Sequence, residues 1–144
     1  MRSDLTKLAF LIRLSSQALP VGGYAYSSCM ESAIREGIVK NHTTAFRWIS
    51  DLFNQGLSVL DLPVLFLASD AWSKGELNVV ESLNEYLQAN RETEEMLLED
   101  LEMGKSLARI LQQIDVVRPD LSEPSFVTEF AFAGTHWQIP VAEL

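Results

Sequence analysis

A chain of 144 residues with 47% hydrophobic and 22% charged side chains can fill one core but not two, and its composition is neither disordered nor low-complexity. Its 20 acidic residues against 11 basic ones give a net charge of −9, which repels phosphate backbones and argues against nucleic acid as a partner. Cys29 is the only cysteine, so no intrachain disulfide is possible; with no cleavable leader around the apolar residues 8–12 and no membrane-length apolar run, a cytoplasmic protein with no membrane partner is expected.

Ser3 is placed to cap a first helix, with Leu5, Leu8, Ala9, Leu11 and Ile12 at helical spacing, ending near Ser15. Residues 19–31 then pack Pro20, the pair Gly22 and Gly23, Tyr24 and Tyr26 into one sharp turn. Pro20 pushes Leu19 toward extended backbone, and the glycines permit positive φ or close approach. Ser28-x-x-Glu31 reads as a capping box opening a second helix, which Gly37 stops. Residue chemistry alone fits this turn equally to a corner whose tyrosines fill the core and to an exposed functional loop.

Thr43 can cap a third helix, with Phe46, Ile49, Leu52, Phe53 and Leu57 forming one broad, strongly apolar face. Asp61-Leu62-Pro63 reads as a fresh start, since proline suits a first helical turn. The helix it opens carries Val64, Leu65, Leu67, Ala68, Ala71 and Trp72, is apolar nearly all round and is expected to be central. Asn78-x-x-Glu81 starts a fifth, burying Val80, Leu83, Leu87 and Tyr86. Residues 91–114 read as one long helix in which Gly104 marks a close helix–helix approach. After a loop over 118–124, Phe126, Val127, Phe130, Ala131 and Ala133 define another helix ending near Gly134, and residues 139–144 look like an eighth that stops as it starts. The expected fold is an all-α, single-domain bundle of about seven helices that breaks off at its C-terminal end.

Glu92, Glu94, Glu95, Glu99, Asp100 and Glu102 crowd the first half of the long helix, but the Glu-x-x-His pairs of di-metal bundles are missing. A solvated face that complements the helix dipole is the simpler reading. His42 and His136 have no ligand spacing with each other or with Cys29, and no phosphate-binding loop or nucleophile elbow occurs. No cofactor, metal site or catalytic centre is expected.

Three blocks of sequence carry a resemblance: residues 18–24 with Tyr26, Ser27, Glu31 and Ala33; Asp61-Leu62-Pro63; and Arg91-Glu92-Thr93 with Glu95, Glu99, Asp100, Met103 and Gly104. In that order they resemble the UreF family of urease accessory proteins. Cys29 stands where that family usually has glycine, Ala25 where serine is common and Leu97 where a basic residue is frequent. The resemblance implies a non-catalytic, dimeric scaffold that joins a UreD/UreH-type protein and the UreG GTPase to deliver nickel to apo-urease. It implies further helices beyond Leu144, and partner contacts at Pro20, Gly22, Gly23, Tyr24, Tyr26, Ser27, Glu31, Arg91, Glu92, Glu95 and Asp100. A generic helical interaction domain is the alternative, and a metal-dependent bundle enzyme a third.

Overall fold

The computed structural model describes residues 2–23 and 26–144, the first two of these by backbone alone. Its elements are α1 (Arg2–Leu14), α2 (Met30–Arg35), α3 (His42–Asp51), a π-helical segment (Leu52–Asp61), α4 (Leu62–Lys74), α5 (Leu77–Ala89), α6 (Glu94–Gln113), α7 (Phe126–His136) and a final 3₁₀ turn (Val141–Glu143). No strand occurs among the described residues, and the seven expected α-helices are all present.

The helix starts lie elsewhere than the cap patterns suggest. Asn41, not Thr43, caps α3: its side chain accepts from the Thr44 amide at 3.1 Å, and Thr44 Oγ1 accepts from the Asn41 amide at 3.0 Å. Helix α5 begins at Leu77 with no side-chain cap, so Asn78 lies inside it. The stop at Gly37 holds, with φ +73 and Ile38 donating to the Ala33 carbonyl at 2.8 Å in a Schellman turn.

The break expected at Asp61 is absent. Asp61 has helical φ −67 and ψ −47, and α3, the π segment and α4 form one continuous rod. Proline inside an α-helix would press its ring on the carbonyl four residues back and lacks a donor of its own. The rod avoids this by widening its turn, so that the Leu62 amide donates to Leu57, five residues back, just before Pro63. The fused helix spans 33 residues with an 18-residue stretch of mean hydropathy 1.4, long and apolar enough by length and composition to cross a membrane. That corrects the expectation of no such run, which depended on the break. Only 17% of that stretch is buried.

Widening the turn also re-phases the apolar side chains. Val64, Leu65, Ala68 and Ala71 of α4 are buried, whereas α3 and the π segment bury no residue, and Phe46 is 67% and Phe53 52% exposed. The broad apolar face of this part of the rod is open. Helix α4 is central as expected, and it shares that place with α7, which packs on both α4 and α6. Ala131 and Ala133 are fully enclosed, Leu107 and Leu111 of α6 pack with Leu14, Val21 and Ile139, and Leu121 joins Ala71 and Val80. Gly104 is a close approach of another kind than expected: a Cβ there would strike the Pro124 carbonyl, so α6 lies against the entry to α7, not against a helix. Tyr86, expected inside, is exposed.

Candidate partner-binding site

All three signature blocks meet around the start of α6. Arg91, just before that helix, donates to both oxygens of Asp61 at 2.7 and 3.2 Å and through Nε to Asp100 Oδ2 at 3.1 Å. Burial works against the guanidinium charge, but the two carboxylates outweigh it and hold its pKa above the ordinary value. The second Asp100 oxygen accepts from the Phe126 amide at 2.9 Å, at the first turn of α7, where the helix dipole favours a negative charge. Thus two carboxylates and one guanidinium tie the end of the π segment to α6 and α7.

The turn over residues 20–31 is pinned to the same helix. Gly22 takes φ +84, and a Cβ on Gly23 would sit 3.2 Å from the Met103 methyl, so each glycine serves one of the two expected purposes. The capping box at Ser28 is not formed. Ser28 and Cys29 are left-handed, with φ 47 and 63, and Ser27 Oγ takes the cap role by accepting from the Glu31 amide at 3.3 Å. Burial raises the Glu99 pKa above its usual range, and neighbouring Ser28 opposes the rise. The Cys29 thiol lies 3.5 Å from Thr93 Oγ1 and 3.6 Å from Glu95 Oε2, while Thr93 caps α6 through the Met96 amide at 3.1 Å. Cys29 is thus half-buried against polar groups.

Of the residues the sequence singled out, Pro20, Gly22, Glu31, Glu92 and Glu95 are exposed, and Gly23, Tyr26 and Ser27 are half-buried. Arg91 and Asp100 lie beneath that surface, with side chains 10% and 6% exposed. Tyr24 lies outside the described residues. Sequence reasoning missed Asp61 as the partner of Arg91. It also missed Asn84, a buried amide that donates to the Glu123 carbonyl at 2.8 Å and accepts from the Ser125 amide and Thr128 hydroxyl, each at 2.8 Å. An asparagine on an otherwise apolar helical stripe was the available signal.

Beside this convergence runs a groove of about 770 Å³ between the rod and the α6–α7 pair, with Leu52, Leu65, Met103 and Phe130 among its walls. Among the described residues no group of three or more His, Cys, Asp or Glu side chains is arranged to hold a metal ion. The arrangement is a surface with anchored loops over a packed ion network, suited to holding a macromolecule.

Residues 39–144 match the family model described as UreF. The chain belongs to the UreF family. It is 44% identical over 137 residues to a urease accessory protein UreF of Marinomonas sp. (strain MWYL1), covering 94% of this chain and 60% of that protein. It is 42% identical to the urease accessory protein UreF of Polynucleobacter asymbioticus, over 94% of the chain and 59% of that protein. For the one from Teredinibacter turnerae the figures are 40%, 96% and 64%. The chain thus spans about three-fifths of the length of these relatives. The UreF model takes in the second and third signature blocks. The first precedes residue 39, and the relatives' alignments, covering 94% or more of the chain, extend into it.

Proposed function

We propose that this chain acts in urease maturation as a non-catalytic accessory protein of the cytoplasm. It gathers a UreD/UreH-type protein and the UreG GTPase so that nickel can be inserted into apo-urease. The observation that carries the reading is the convergence of the three UreF signature blocks on one face at the start of α6. The exposed residues of that face are Glu31, Glu92 and Glu95, with Pro20 and Gly22 beside them. Arg91 and Asp100 act from below by fixing where α6 begins.

The homodimer in this reading draws on apolar side chains that the rod leaves exposed outside the groove, Val59, Phe66 and Leu67 among them. Nickel is cargo here, passed on by the partners.

The test is capture and complementation in cells that carry a urease operon without its UreF gene. The chain should co-purify with the UreD/UreH-type protein and UreG and restore urease activity. The triple substitution Glu31→Ala, Glu92→Ala, Glu95→Ala should cut capture by about tenfold or more while leaving helical content unchanged. Failure of the unaltered chain to capture either partner defeats the reading.

A further inference from the structure

Glu129 lies on α7 with no exposed surface, and neither of its carboxylate oxygens has a hydrogen-bond partner among the described residues. Arg118 Nη1 stands 3.2 Å from Oε1, but that nitrogen donates to the Pro119 carbonyl at 2.7 Å. Arg118 belongs to the connection between α6 and α7, residues 114–125. Val116 and Leu121 are its buried anchors here, while Val117, Pro119 and Asp120 are exposed, so residues 117–120 arch outward and return only Arg118 inward. The arch leaves α6 at Asp115, whose φ of 59 is left-handed. A cleft of about 810 Å³ runs between the second half of α6 and this arch, with Arg118 and Leu121 in its wall but not Glu129. Arg118 therefore stands between the carboxyl and the cleft.

The charged groups that act on the carboxyl are Arg118 and Asp120, both from the arch. Helix α4 meets α7 through Trp72 and the Ser69 carbonyl, and α5 through the neutral amide of Asn84. From α6, Asp100 is held by Arg91 and the Phe126 amide, while Glu102, Lys105 and Arg109 line the cleft. Glu143 of the final turn is exposed.

We propose that the arch is a pH-dependent cover: ionisation of Glu129 makes it swing outward on Asp115, lifting Val116 and Arg118 so that water from the cleft reaches the carboxylate. A buried carboxylate without hydrogen bonds is unfavourable, and one guanidinium partly committed to its own loop does not offset that. Protonated, the acid tolerates enclosure and the cover stays shut. Burial is the largest influence on this group and lifts its pKa from 4.5 to about 7 against the pull of Arg118. Closure is therefore fully favoured below pH 4.5 and loses its advantage as pH rises through about 7. Lifting the arch uncovers one buried apolar side chain, Val116, which makes it a shorter route to water than unfolding the core. With no surface of its own, the carboxyl is met by no further segment or partner until the arch moves.

Amide hydrogen exchange by NMR on the full chain reads the cover, because lifting Val116 breaks its amide's bond to the Leu111 carbonyl, 3.0 Å long when shut. After correction for the intrinsic exchange rate, opening at Val116 should increase about tenfold per pH unit between about pH 5 and 7 and level off above. It should exceed opening at Leu107, in the middle of α6, by about tenfold or more at every pH. The Ile38 amide, which ends α2 by a similar bond to the Ala33 carbonyl, should not follow that slope. Glu129→Gln should abolish the response and keep Val116 protected throughout. If that variant does not fold, the exposed Asp120→Asn carries the test: losing a neighbouring negative charge should move the levelling-off to lower pH, whereas Arg118→Gln should move it higher. A flat Val116 profile overturns the proposal, as does a slope that persists in Glu129→Gln or, where Asp120→Asn replaces it, a levelling-off that does not move. Opening at Val116 equal to that at Leu107 also overturns it, since only global unfolding then hydrates the acid.

Discussion

Glu129 is a carboxylic acid sealed in the core: its relative accessibility is 0%, and neither carboxylate oxygen has a hydrogen-bond partner among the described residues. Arg118 Nη1 stands 3.2 Å away as an ion-pair partner. Burial nevertheless dominates, Arg118 opposes it and Asp120 adds to it, so the pKa rises from 4.5 to about 7. An acid held protonated in the fold contributes stability that is fully present below pH 4.5 and is lost as pH rises through about 7. The full swing is about 3 kcal/mol. Urea denaturation should therefore show stability falling between pH 5 and 8 in the wild type, with most of that slope removed in Glu129→Gln. Equal slopes would show that the carboxyl ionises normally. Cys29 gives a second residue-scale expectation. Its φ of 63 is the region where side chains are strained and glycine is not. Cys29→Gly should raise stability by about 1 kcal/mol, the strain relieved less the entropy glycine loses. Cys29→Ala, which keeps the Cβ and loses the thiol, should show no gain in the same measurement.

Helices were legible in the sequence as elements, but where they start and what they face was less so. Apolar spacing located Val64, Leu65, Ala68 and Ala71 on α4, and Leu107 and Leu111 on α6, because a 3.6-residue period survives any change at the ends. Caps at Ser28, Thr43 and Asn78 failed, since several neighbouring polar residues fit the pattern and the direction in which the chain arrives selects among them. At the second helix it is Ser27, one residue earlier, whose hydroxyl accepts from the Glu31 amide. The candidate site was half legible: its three blocks were visible, but not that Asp61 and Arg91 would pair across 30 residues. That pair makes an element-scale prediction. Arg91→Ala would leave Asp61 and Asp100 as buried carboxylates without a cation and should cost about 3 to 5 kcal/mol. Adding Asp61→Ala to that variant should recover part of the loss, because one stranded charge is removed with its partner. A double-mutant cycle by urea denaturation measures the coupling, and simple additivity would show that the triad does not act as a unit.

At the scale of the whole fold, α7, α4 and α6 enclose a core, while the rod projects apolar side chains that no other described residue buries. The sequence showed that α3 has an apolar face but could not show what meets it, because periodicity reports a stripe and not its neighbour. Outside the groove, Phe46, Val59, Phe66 and Leu67 are each 49% exposed or more, which is unusual for one helix. Water contact over such a surface is unfavourable at about 25 cal/mol per Å², so association that hides it gains free energy even against the repulsion of two chains of charge −9. Screening that repulsion should then strengthen association. Light scattering on the purified chain should give a dimer whose dissociation constant falls as salt is raised from low to physiological ionic strength. Phe66→Ser with Leu67→Ser should shift it toward monomer without loss of helical content, since both side chains point out of the core. Dimerisation that weakens with salt would mean that ion pairs hold the copies together, and a monomer at all concentrations would mean that the uncovered face is reserved for other proteins.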